Sequence, residues 1–374
     1  GYDMGVLNNR VMVTFDFYRR KTRDLLYSVP VATYSGFGSQ IQNLGEIQNQ
    51  GMELAFSANI IKKRNVNWTF DFNISKNKSK LIEIGERGWE INTVGAGNYY
   101  LKEGLPLANW YGYQTQGIWQ TQAELDAALA SFNEHVASGI GPQAGDLSKA
   151  QYDRLKPGYR KIKDQPNAEG KYDGIINADD RVILGQGEPN FVGGFSTSFR
   201  YKWLTLDVAF TYNVGNKIYN KAGRILETDI SQRNQFAATA NRWFPTLYHY
   251  DPNSPDHRGE LLWEGNPTND ILSCMHGQGN DDTIYDIYLE DGSFLRLSDI
   301  TLSFNLPKKW LKKAMMKSAT VFVTGKNLFV WSDYKGYDPE VNMSTGAAKY
   351  LCPGLDNWAY PKSRIISGGI KLSF

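Results

Sequence analysis

Cysteine is close to absent from this chain. Its 374 residues include two, Cys274 and Cys352, both in loop-like sequence and neither in a C-x-x-C or Cys/His spacing. A disulfide-built scaffold and a thiolate metal centre are thereby excluded, and a single Cys274–Cys352 bridge stays open. Net charge is lacking too: 41 Lys and Arg against 39 Asp and Glu leave +2, so no global field points to nucleic acid or to an acidic membrane surface. The chain has no apolar run of the roughly eighteen residues that a membrane helix needs, and no G-x-x-x-x-G-K-[ST] phosphate cradle. His135, His249, His257 and His276 stand in loop-like sequence without H-E-x-x-H or triad context. Two carboxylates would suffice for glycoside hydrolysis, but nothing singles out a pair among so many. No catalytic residue is assigned.

Aromatics and glycine are plentiful, with 22 Tyr, 18 Phe, 10 Trp and 36 Gly, a mixture typical of long β-strands joined by irregular loops. Alternation recurs along the chain. Val11, Val13, Phe15 and Phe17 oppose Met12, Thr14, Asp16 and Tyr18; Met52, Leu54, Phe56, Ala58 and Ile60 oppose Glu53, Ala55, Ser57 and Asn59. Trp68, Phe70, Phe72 and Ile74 oppose Thr69, Asp71, Asn73 and Ser75, and the same pattern governs 204–214 and 300–306. Successive side chains point to opposite faces of a strand, so each segment carries one apolar and one polar face. Length narrows the architecture. Soluble strands average about 5–6 residues, tilted membrane strands need roughly 9–11, and 51–61 and 204–214 match the longer class. The mean hydropathy of −0.47 does not conflict with a membrane, because a barrel strand is apolar only at every second position. Trp68, Tyr201, Trp203 and Tyr212 at strand ends suit the aromatic girdles of a bilayer.

The final segment, I-S-G-G-I-K-L-S-F, places Ile366, Gly368, Ile370, Leu372 and Phe374 on one face, an amphipathic strand that finishes on an aromatic residue. Connections alternate between short turns, at 62–65 and 202–203, and long stretches, at about 19–45, 120–190, 222–286 and 332–362, as in barrels with short periplasmic turns and long extracellular loops. A helix is expected over Thr121–Ala130, with Thr121 as N-cap and acidic residues following. The expected fold is all-β, a transmembrane antiparallel β-barrel forming one domain over 1–374. The reading from another class is a secreted β-sandwich adhesin or glycan-binding module, which also hides one face of each strand.

Five stretches in order resemble the SusC/RagA-like TonB-dependent transporters of the outer membrane: N-L-G-E-I-Q-N-Q-G-M-E-L with S-K-N-K-S (43–79), E-G-L-P-L-A-N-W-Y-G-Y-Q-T-Q-G-I-W (103–119), 193–220 ending G-N-K-I-Y-N, 290–342 with G-K-N-L-F-V-W and Y-K-G-Y-D-P-E-V-N, and 360–374. The resemblance implies that the chain supplies the C-terminal ten to twelve strands of a roughly 22-stranded barrel, with the plug and first barrel strands absent from it. It also implies energy from TonB, a SusD-like surface lipoprotein as partner, an oligosaccharide or peptide as cargo, and the outer membrane of a Gram-negative bacterium as location.

Two sets of side chains are candidates for binding. Asp173, Gly174, Ile176 and Asp180 fit positions of an EF-hand-like loop, and an insertion would let Asp164 and Asn167 supply its first half. Calcium on Asp164, Asn167, Asp173 and Asp180 and a plain Asp/Asn turn network are both open. Loop aromatics Trp243, Tyr248, Tyr250, Trp263, Trp331, Tyr334 and Trp358 are candidate cargo contacts, since indole and phenol faces stack on sugar rings; packing of loops or anchoring in headgroups would use them equally. The run K-K-W-L-K-K at 308–313 reads as a solvated turn or an amphipathic turn at the membrane surface, and Tyr337, Asp338 and Pro339 as a structured loop start.

Overall fold

The computed structural model describes residues 1–24, 26–30, 36, 39–43, 45–83, 100–228, 234–255, 258–263, 265–266, 283–313, 316–343 and 353–374. Where ten to twelve barrel strands were expected, nine among the described residues form one antiparallel sheet in chain order: β1 (Tyr2–Val6), β2 (Val11–Arg23), β3 (Glu46–Lys62), β4 (Val66–Glu83), β5 (Phe191–Tyr201), β6 (Leu204–Val214), β7 (Phe294–Asn305), β8 (Ser318–Trp331) and β9 (Ile365–Ser373). The remaining strands make small sheets of two or three in the long connections.

Register explains why the sheet has two chemically distinct faces. Phe15 lies opposite Leu54, Leu54 opposite Ile74, Phe56 opposite Phe72, Phe72 opposite Phe195 and Phe195 opposite Phe210. Leu206 meets Leu302, which meets Val323, and Val321 meets Ile370. Most apolar residues of this face therefore border apolar residues across the ladder, and a slip of one residue would turn a strand's whole apolar set over. Aromatic rings run across the strands as Phe56–Phe70–Phe195–Phe210–Trp331, with centroids 4.7–6.5 Å apart.

Bulges repair the phase where the sequence breaks it. Leu295 and Leu297 are out of step with Ile300 and Leu302, and the pairing with β6 skips Ser298, so that Leu297 joins Phe210 on the apolar face. In β3 the pairing skips Ile60. Ile60, expected in the apolar row, leaves it, and Ile61 stands beside Trp68 instead. The extra residue frees backbone groups, and Arg10 donates to the carbonyls of Asn59 (3.0 Å) and Ile60 (2.8 Å). Glycine serves where a ring must lie against the backbone: a Cβ on Gly193 would come within 2.2 Å of the Asn73 carbonyl and 2.6 Å of the Tyr212 hydroxyl. Tyr212 covers that gap and donates to Asn73 O at 3.0 Å.

Among the described residues the apolar face has no cover. Phe17 (57% exposed), Val323 (53%) and Ile370 (68%) stand open, and Phe56, Phe70 and Phe210 are partly exposed. No second sheet packs against this face among the described residues, so a β-sandwich lacks its core here. Among those residues, too, no helix is long and apolar enough to cross a membrane.

The largest fully buried side chains, Trp110, Tyr219, Leu125, Ile218, Ile284 and Asn109, all lie in the long connections. Short turns close the sheet at one end (7–10, 63–65, 202–203, 306–317), and every long connection leaves from the other. Lys217–Asn220 pairs antiparallel with Leu289–Asp291 and parallel with Leu355–Asp356, which ties two connections together. Trp110 packs on Tyr219, Ile284, Tyr288 and Leu355 and donates its indole N–H to the Lys217 carbonyl at 3.1 Å. The expected helix is present and longer, at Gln122–Ala137: Thr121 Oγ1 accepts from the Glu124 N–H, and Leu125 is buried against Trp119 and Leu147. Lys308–Lys313 is helical, burying Leu311 and exposing Trp310, where a turn was expected.

Candidate functional site

The loop end is built on buried charge. Arg296, at the loop end of β7 and 3% exposed, donates to Asp338 at 2.6 Å and pairs with Glu340 at 2.5 Å, while Lys362 reaches Glu340 at 2.8 Å. Asp338 also accepts from the backbone N–H groups of Glu340 and Lys362. The motif Y-D-P-E-V-N is thus the acidic half of a lock whose basic half is Arg296 in L-R-L-S-D.

Beside this lock lies a cavity of about 470 Å³, lined by Asn220, Ala222, Gly223, Leu226 and Phe236 on one side and by 335–337, Asp356 and Trp358–Pro361 on the other. That volume falls within the range of small-ligand sites, about 300–1,000 Å³. Its buried polar groups are already engaged. The Asn220 side chain donates to Glu290 and accepts from Gly223 N–H. Asp356 accepts from the Tyr334 hydroxyl at 2.6 Å and from Ala359 N–H at 3.0 Å; burial and this carboxylate raise the Tyr334 phenol above its ordinary range. The same carboxylate closes the turn that carries Trp358, whose φ is +64°, a conformation rare for a bulky side chain.

Of the residues proposed for calcium, the fold brings two together. Asp164 and Asp180 are 5% and 3% exposed. Asp164 Oδ2 accepts from Gly174 N–H at 3.0 Å, and Asp180 accepts from the N–H groups of Gln165 (2.8 Å) and Asn177 (2.7 Å). Asn167 and Asp173 instead turn their own backbone, accepting from Glu169 and Lys171 N–H and from Ile175 N–H respectively. Among the described residues no three acidic, His or Cys side chains converge as a metal-binding group. Burial, with Asp180 and Asp173 nearby, pushes the Asp164 carboxyl up to about 7.

The aromatic candidates separate. Trp243 is buried on Ile118 and donates to the Gln120 carbonyl; Tyr334 is buried with Ile218, Val341 and Ala359. Neither presents a face to cargo. Trp331 stands on the apolar face of β8 beside Phe329. Tyr250 is exposed on a two-stranded loop sheet, and the side chains of Tyr248 and Trp263 lie outside the described residues, as do Cys274, Cys352, His257 and His276. Among the described candidates, Trp358 alone lines the cavity. Sequence reasoning did not single out Phe236, Tyr360 and Asp356 as site residues; the parallel pairing of 219–220 with 355–356 ties together the two connections that carry them.

No model of a protein family matches the chain. Two proteins of Formosa agariphila named TonB-dependent receptors match all of it, at 29% identity over 385 residues and 30% over 378. The TonB-dependent receptor SusC of Bacteroides thetaiotaomicron matches at 24% over 381 residues. The chain spans about a third of each relative: 33%, 34% and 31%. Among solved structures it is similar to the RagAB peptide transporter, with TM-score 0.72, 24% identity, all of this chain and 34% of that one covered. The RagAB importer in its open-open state gives TM-score 0.69 at 24% identity, covering 99% of this chain and 33% of the other.

Proposed function

We propose that this chain, which is SusC/RagA-like along its whole length, forms part of the lipid-sealed wall of a TonB-dependent importer in the outer membrane of a Gram-negative bacterium. The observation that carries this reading is the uncovered apolar face running in register through nine strands. Hydrocarbon is the medium that suits such a face, while the opposite face, with Asp71, Asn73, Thr205 and Asn213, suits a hydrated interior. A backbone in hydrocarbon needs every N–H and C=O paired, so β1 and β9 call for further strands of the same barrel on either side. The polar face surrounds a plug, and TonB acts through that plug. The packed layer of long connections faces outward, docks a SusD-like lipoprotein and contacts an oligosaccharide or peptide cargo. The chain makes and breaks no bonds in this reading.

Fractionation of cells expressing the full-length transporter tests it. The protein is expected in the outer membrane, soluble only in detergent, with a migration on gels that changes on boiling, and with a surface lipoprotein in the purified complex. Recovery of a folded protein in buffer without detergent would overturn the proposal.

A further inference from the structure

Resting on that reading, we infer that the cavity between Phe236 and Trp358 is a cargo subsite for a large apolar side chain of a peptide. Its walls are Leu226, Phe236, Trp358 and Tyr360, with Trp358 and Phe236 each about half exposed, at 48% and 45%, and Tyr360 at 92%. These rings need a partner with an apolar surface of its own.

Polar chemistry decides between peptide and sugar. A sugar ring brings several hydroxyls, and each must find an acceptor or donor once it leaves water. Here the two buried polar side chains, Asn220 and Asp356, spend both their terminal atoms on Glu290 and Gly223 and on Tyr334 and Ala359. They have little left for hydroxyls. An aromatic or aliphatic side chain makes no such demand. Lys335, exposed at the same rim, makes no side-chain hydrogen bond or ion pair among the described residues, and its ammonium suits a carboxylate of the same peptide.

The site is also held in place. Trp358 keeps its left-handed backbone because Asp356 accepts from Ala359 N–H, and Asp356 is fixed in turn by Tyr334 and by the parallel pairing of 219–220 with 355–356. Backbone strain of this kind persists where the surroundings enforce it. Asp356 thus fixes the turn that presents Trp358.

The test uses the full-length transporter purified from the outer membrane in detergent, and two tetrapeptides that differ only in carrying phenylalanine or alanine at one position. The phenylalanine peptide should bind about tenfold more tightly, and Trp358→Ala should remove most of that difference while leaving the alanine peptide within about twofold. Tyr360→Ala, at a side chain with little packing to lose, should weaken the phenylalanine peptide alone. Equal affinity for both peptides, or binding of linear oligosaccharides that depends on Trp358, overturns the subsite. Those results would leave an outer-membrane barrel standing, whereas a detergent-independent soluble protein would sink the wall reading itself.

Discussion

A charge placed on the apolar face measures directly what that face meets. β6 has 11 residues, about 37 Å at roughly 3.4 Å each; a tilt of about 40° projects this to about 28 Å, close to the hydrocarbon thickness. Val208 sits midway along its apolar row, opposite Thr197 and Ile300. Val208→Arg therefore puts a guanidinium near the bilayer midplane, at a cost of about 2–4 kcal/mol, or a roughly 30- to 1,000-fold loss in the ratio of inserted to uninserted protein. Ser196→Arg is the control. Ser196 is on the polar face, opposite Asp71 and Ala209, where an arginine gains a carboxylate neighbour and costs about 0–1 kcal/mol. The assay is the folded fraction of full-length protein in outer membranes, read from unboiled gel migration. Equal loss in the two variants, or greater loss for Ser196→Arg, would refute the assignment of faces and with it the register argument.

Arg296→Met leaves Asp338 buried without its cation, and a broken buried pair costs about 3–5 kcal/mol; faster limited proteolysis within 336–343 is the expected readout, with Arg296→Met/Asp338→Leu recovering part of the loss. Asp164 holds its proton up to about pH 7 in the fold and releases it near pH 4 in an unfolded chain. Between those values the folded state binds more protons, so protection of the 142–181 segment is full below about pH 4 and falls as pH rises through 7. Asp164→Asn should flatten that profile, and an unchanged profile in the variant would refute it. Calcium added at pH 8 is the companion measurement: recovered protection assigns Asp164 and Asp180 to a cation, and unchanged protection speaks against a cation site there.

By itself the sequence determined the wall. A period of two is a local property of a strand, so Val11–Phe17, Leu204–Tyr212 and Ile366–Phe374 declare their apolar faces without reference to any neighbour, and Thr121 declares the start of its helix in the same way. Where the phase breaks, at Ile60 and Ser298, only pairing decides: the bulge in one strand is defined by the residues it skips in the next. The cavity lies further from view. Phe236, Tyr337, Asp356, Trp358 and Tyr360 come from two connections with no period to read, and they meet because Lys217–Asn220 and Leu355–Asp356 pair across more than a hundred residues of chain. Trp243, Trp331 and Trp358 look alike as loop aromatics in a string of letters. One is buried, one faces the uncovered side of the sheet and one lines a cavity, because exposure depends on what packs around a side chain, and that is set by contacts distant in sequence.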